Sequence, residues 1–139
     1  MSSTGLHTTI LLIDGHDRDR TYYADRLKFL IADCVVLEAK TGQKGLELYK
    51  TRPLDCIVTE LDLPDMSGFE VLLTVIHRAS YPEIAVVILT HMTNPYLVEM
   101  AKTNGAQAVL AKRSTAGDLL APAILNAIAV VGPTRKDRP

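Results

Sequence analysis

Tryptophan is absent from the chain and phenylalanine occurs only twice. So few large rings leave no stacking platform for nucleic-acid bases. Cysteine also occurs only twice, at Cys34 and Cys56. Neither sits in a His/Cys cluster, so a disulfide framework or thiolate metal site is not expected, and both read as reduced, buried, small apolar side chains. Neither sign of charge is in excess: the net charge is −1. Bulk electrostatics therefore give no pull toward nucleic acid or an anionic membrane. No apolar run reaches the roughly 18 residues of a spanning helix. Met1 to His7 lacks the basic-then-apolar pattern of a secretory leader, so the reading is cytoplasmic.

What is present is a regular alternation. A chain of 139 residues, 47% hydrophobic and 22% charged, suits one self-supporting domain. Ile10-Leu11-Leu12-Ile13 is a short continuous apolar run, as in a strand covered on both faces. Arg18 to Ile31 spaces Tyr22, Leu27, Leu30 and Ile31 among charges, which predicts an amphipathic helix. Strand-like runs recur at Cys34–Leu37, Cys56–Thr59, Ala85–Thr90 and Ala108–Ala111. Between them lie helix patterns at Gly42–Lys50, after a Ser67 cap to about His77, and from the Asn94-Pro95 start to Thr103. A last helix runs from a Thr115 cap to about Val130, and Pro122 inside it predicts a kink or a late start.

Five strand-then-helix units predict an α/β domain: a doubly wound five-stranded parallel sheet, flavodoxin-like in order 2-1-3-4-5, with helices on both faces. The domain is expected over 8–130, after a flexible N-terminus at 1–7 and before a disordered tail at 131–139.

In such a sheet, function gathers at the carboxyl ends of the strands. Strand 1 ends at Asp14-Gly15-His16, strand 3 at Glu60 with Asp62 two residues on, strand 4 at Thr90-His91 and strand 5 at Lys112. A carboxylate at one strand end is most often a solvated cap. Carboxylates, a hydroxyl and a lysine converging from four strand ends form a site.

These segments carry a resemblance. Leu-Leu-Ile-Asp14, Asp55-Cys-Ile-Val-Thr-Glu60-Leu-Asp-Leu-Pro64-Asp-Met-Ser-Gly68, Val-Ile-Leu-Thr90 and Leu-Ala-Lys112 together resemble bacterial two-component receiver domains. In that family an aspartate at the end of strand 3 accepts a phosphoryl group from a histidine kinase, and paired acids after strand 1 hold Mg²⁺. The resemblance implies that Thr90 and Lys112 are the phosphoryl-oxygen contacts and that Asp14 is the retained acid. The chain departs from the pattern at four positions. Glu60 stands in the acceptor position, Gly15 replaces the second acid, Arg113 stands where a proline is usual, and Val109 replaces an aromatic.

With one acid lost, Asp14 and Glu60, with the backbone carbonyl of Asp62, are expected to bind Mg²⁺ weakly at most. One methylene too many at position 60 misplaces an in-line acceptor, and about an ångström of misplacement can cost about 100-fold. Glu60 could instead pair with Lys112 as a partial phosphate mimic. Alternatively the protein still accepts phosphate, on Glu60 inefficiently or on His16 or His91, and shuttles it, although surface loop histidines are common.

The reading is therefore an atypical single-domain response regulator, a signalling protein and not an enzyme. Its partner is a histidine kinase or phosphotransfer protein, with neither nucleic acid nor membrane involved. Apolar residues run around much of the last helix, so a homodimer face is expected there with Leu119, Ile124 and Ile128. A flavin-binding protein on the same fold is a different class. It would need a Ser/Thr-rich phosphate loop after strand 1, where this chain has Asp14-Gly-His-Asp-Arg-Asp.

Overall fold

The structure, a computed structural model, describes residues 7–92, 94–112 and 117–132. The order is β1 (Thr8–Ile13), α1 (Asp17–Leu30), β2 (Cys34–Ala39), α2 (Gly42–Thr51), β3 (Cys56–Thr59), α3 (Gly68–Val75), β4 (Ala85–Thr90), α4 (Pro95–Thr103), β5 (Ala108–Ala111) and α5 (Gly117–Val131). The five strands form one sheet in the order β2-β1-β3-β4-β5, and every pairing is parallel. This is the flavodoxin-like arrangement that the sequence predicts. No helix among the described residues is long and apolar enough to cross a membrane.

The continuous apolar runs are explained by cover on both faces of the sheet. On one face, Leu11, Ile13, Ile57, Val86 and Ile88 pack with α2, α3 and α4 through Leu46, Val71, Leu72, Val75 and Ala101. On the other, Ile10, Leu12, Val58, Val87 and Leu89 pack with α1 and α5 through Tyr23, Leu27, Leu120 and Ile124. Ten-residue-scale local signals set the helix ends. Ser67 and Glu70 form a reciprocal capping box at α3, and the Asn94 side chain accepts the Tyr96 N–H at 2.8 Å before Pro95 at the first turn of α4. Gly105 closes α4 with φ of +107°, a left-handed conformation that costs glycine little.

Several expectations are corrected. On α1 the inward tyrosine is Tyr23, while Tyr22 is 50% exposed and Leu30 also reaches solvent. Ile124, expected on a dimer face, is fully buried in the core between α1 and the sheet, and Ile128 packs partly against the same core. The outward apolar residues of α5 are Leu119, Leu125 and Val130. Cys56 is buried as expected but Cys34 is only half-buried. α5 continues through Pro122 and includes Val131, the first residue of the expected tail. α3 ends at Val75, two residues before His77. Arg113, the Thr115 cap and both outer termini, 1–6 and 133–139, lie outside the described residues.

Candidate functional site

The site residues are set by the sheet itself. Ladder hydrogen bonds continue one residue past the strands: Asp14 N–H donates to Ala39 O at 3.0 Å, Glu60 N–H to Ile13 O at 3.0 Å and Lys112 N–H to Thr90 O at 2.8 Å. Three functional positions thus inherit the rigidity of β1, β3 and β5 before the chain turns away. Together with His16 and His91 they line a crevice of about 550 Å³.

Glu60 is the centre of the site. Its side chain is 2% exposed, and both carboxylate oxygens are taken. Oε2 accepts the backbone N–H of Leu61 at 2.7 Å and of Asp62 at 3.1 Å, and the Thr90 hydroxyl also donates to it. Oε1 accepts the His91 backbone N–H at 3.2 Å, lies 3.1 Å from His91 Nδ1 and pairs with Lys112 Nζ at 3.1 Å. Burial alone would push this carboxyl up. The donated hydrogen bonds and the Lys112 charge outweigh it, so Glu60 is held below the ordinary glutamate range.

Lys112 is equally committed. Its ammonium meets Asp14 Oδ2 at 2.7 Å, Asp19 Oδ2 at 2.8 Å and Glu60 Oε1 at 3.1 Å. An ammonium has three protons to donate, and here each has a carboxylate. Burial would lower the Lys112 pKa, but the hydrogen bonds and charges of Asp14, Asp19 and Glu60 drive it upward instead. Asp14, itself buried, gives its other oxygen to the His16 backbone N–H at 2.9 Å.

The structure brings Asp14, Glu60, Thr90, His91 and Lys112 together as the sequence suggests. Two residues stay at the rim. The side chain of His16 is 76% exposed, with Nδ1 3.6 Å from Asp19, and that of Asp62 is 65% exposed, 3.6 Å from His91 Nε2. Sequence reasoning missed two members. Asp19, in the first turn of α1, reaches Lys112 at 2.8 Å. Arg20, mostly buried, donates to the Asp14 carbonyl at 2.8 Å, Glu38 at 3.1 Å and Asp17 at 2.8 Å, which fixes the β1–α1 loop. The acidic run after Asp14 was the only signal for either residue.

The expected Mg²⁺ ligands, Asp14, Glu60 and Asp62, do not fit that ion. Magnesium needs several oxygens in near-octahedral geometry. Both oxygens of Asp14 and of Glu60 already have donors, which leaves of the expected set only the Asp62 backbone carbonyl, too few oxygens for that ion. No acid can begin at position 15 without rearrangement, because a Cβ on Gly15 would sit 2.8 Å from Pro64 Cδ. Among the described residues no group of three His, Cys, Asp or Glu side chains is arranged to hold a metal ion.

Comparison with known proteins agrees with this fold. The transcriptional regulatory protein UhpA of Salmonella typhimurium is 31% identical over 114 residues, covering 81% of this chain and 55% of UhpA. The nitrate/nitrite response regulator NarL of Escherichia coli is 30% identical over 112 residues, covering 81% of this chain and 51% of NarL. The chain thus spans about half the length of these relatives. The two-component response regulator ARR17 of Arabidopsis thaliana is 28% identical over 124 residues, 81% of this chain and 80% of ARR17. Among solved structures, a response regulator receiver domain protein of Clostridium thermocellum superposes with a TM-score of 0.76 at 26% identity, covering 88% of this chain and 95% of that one. A CheY-like receiver domain protein of Methanospirillum hungatei JF-1 shares the fold, with a TM-score of 0.78 at 20% identity over 90% of this chain and 96% of that one. Residues 10–123 match the response regulator receiver domain, and the chain belongs to that family.

Proposed function

We propose that this receiver works as a phosphorylation-independent docking module, with Glu60 as a fixed anion in the acceptor position. Receiver domains are signalling domains that interact with histidine kinases or phosphotransfer proteins, and their usual switch is a phosphoryl group bound beside Mg²⁺. Here the donors that the family resemblance assigns to phosphoryl oxygens, Thr90 and Lys112, already bond the Glu60 carboxylate. That single observation carries the reading. A phosphoryl group brings about −1.5 to −2 charges and three acceptor oxygens. Glu60 brings one charge and two oxygens, so the mimicry is partial. As a nucleophile Glu60 is poor: it is enclosed, hydrogen-bonded and held in its stabilised anionic form.

The output is protein–protein binding in a cytoplasmic two-component pathway, not catalysis. The partner is a histidine kinase or phosphotransfer protein. The domain itself contacts neither nucleic acid nor membrane, in keeping with its net charge of −1. Homodimerisation through the outward face of α5 is part of this reading, carried by exposed Leu119, Leu125 and Val130.

A second reading rests on the two histidines. His16 and His91 both line the crevice and expose their rings, and a neutral imidazole can accept a phosphoryl group. One experiment separates the two. The protein is incubated with a histidine kinase, ATP and Mg²⁺, alongside a receiver with an acceptor aspartate as control. The expected result is no label. Label stable to base but not to acid would move the acceptor to His16 or His91. Base-labile label would make Glu60 or another carboxylate a working acceptor and overturn the fixed-anion reading.

A further inference from the structure

We infer that Lys112 is the built-in cation of the acidic crevice, and that Asp19 is the positioning residue that holds it there in place of the acid missing at position 15. This rests on the reading of Glu60 as a fixed anion and deepens it. A receiver with paired acids after β1 and an acidic acceptor needs a divalent ion to relieve their repulsion. In this chain the repulsion is relieved from within.

Three observations carry the argument. First, the lysine is central. Its ammonium lies between Asp14 at 2.7 Å, Asp19 at 2.8 Å and Glu60 at 3.1 Å, and its side chain is only 10% exposed. Second, the third carboxylate comes from a new place. Position 15 carries no acid, and a side chain there would meet Pro64 at 2.8 Å as the structure stands, while Asp19 enters the crevice from the first turn of α1. An acid there also favours the helix N-terminus. Third, the oxygens a divalent ion would use are the ones Lys112 and nearby N–H groups hold. Asp14 Oδ2 and Glu60 Oε1 face the ammonium, and Asp14 Oδ1 faces the His16 amide. Metal and lysine therefore compete for one set of ligands. Because the ammonium is covalently tethered, it is present at high effective concentration and the free ion loses.

Asp19 acts through Lys112 and touches no reacting atom. Without it the ammonium keeps two partners and gains freedom to swing out along α1, which opens the Asp14 and Glu60 oxygens.

The test uses MgCl2 as the probe and thermal unfolding as the readout, with NaCl at equal ionic strength as the control for screening. The wild-type protein is expected to show no Mg²⁺-specific change in Tm. Lys112→Met leaves three carboxylates without their cation, so Mg²⁺ should raise its Tm by about 3 °C or more. In Lys112→Met/Asp19→Asn, at least half of that rise should be lost. A wild-type Tm that rises as much as that of Lys112→Met overturns the inference, and so does a double variant that keeps the whole rise. If Lys112→Met does not fold, the lysine ammonium is followed by NMR in full-length protein. A slowly exchanging Lys112 ammonium signal should be present in the wild type and in Asp17→Ala, a control acid on the same helical turn, and absent in Asp19→Ala. Persistence of the signal in Asp19→Ala overturns the role of Asp19. Neither readout involves phosphate, so failure here leaves the Glu60 reading to its own labelling experiment.

Discussion

The crevice and the outer face of α5 handle their chemistry in opposite ways. In the crevice, Asp14, Asp19, Glu60, Thr90 and Lys112 bond one another, and the central carboxylate is 2% exposed. Along α5 from Leu119 to Val130 there is no charged side chain, yet Leu119 is 55% and Val130 65% exposed. One region has satisfied its strong groups internally and offers an incoming ligand few free donors. The other leaves apolar area in water, at about 25 cal/mol for each Å² that a partner would cover. In a conventional receiver the crevice takes the signal and a surface passes it on. Under the proposed function, the surface keeps its task while the crevice is a fixed part of the scaffold.

The strongest way to break this comparison is to remove the hub of the crevice. Lys112→Met strands buried carboxylates and should cost about 3–5 kcal/mol, read from urea unfolding. A cost under about 1 kcal/mol would mean that the cluster is solvated and exchangeable, with the crevice open after all.

Neighbouring positions on α5 sharpen the other side. Ile124 is fully buried and Leu125 is 46% exposed. Ile124→Ala should cost about 2–4 kcal/mol, while Leu125→Ala should change the stability of the monomer by less than about 0.5 kcal/mol. Equal costs would show that Leu125 is also covered.

Acid titration probes the crevice more gently. Folding holds the Glu60 carboxyl below its ordinary value of 4.5. A depressed carboxyl contributes stability above the unfolded value, and that stability is lost as pH falls through the folded one. The stability gap between wild type and Glu60→Gln should therefore narrow as pH falls through the ordinary glutamate value and below it. A gap independent of pH would remove the charged carboxylate from the explanation.

The smallest effect on stability is expected from lysine on the α5 surface. Leu125→Lys and Val130→Lys should each leave the unfolding midpoint within about 0.5 kcal/mol of wild type. Their effect should appear in light scattering, as a shift of mass from dimer to monomer. An unchanged mass would take this face out of the homodimer reading.

The inner strands β1, β3 and β4 were legible in the sequence because each apolar run is buried on both faces and so carries no alternation, while the half-buried edge strands β2 and β5 were legible as short apolar runs. The caps at Ser67 and Asn94 and the stop at Gly105 were legible because helix ends obey rules a few residues long. The positions of Asp14, Glu60, Thr90 and Lys112 followed from the strand ends. The choice between Tyr22 and Tyr23 on α1, or between Ile124 and Leu125 on α5, was not legible. Adjacent residues of like polarity give periodicity no means to choose, and the packing of α1 against α5 chose.

The sequence by itself determined an α/β sheet with its charged groups at one end, and a glutamate and a glycine at the positions where the receiver resemblance leads one to expect acceptor and second acid. Only the tertiary structure decided what surrounds those two residues. Asp19 meets Lys112 across 93 residues of chain, and the Pro64 ring closes the space beside Gly15. Whether a carboxylate reaches out to a ligand or folds onto its own scaffold depends on donors that distant segments bring within about 3 Å. Local sequence patterns encode the elements that carry those donors, and packing of the elements sets the distances between them.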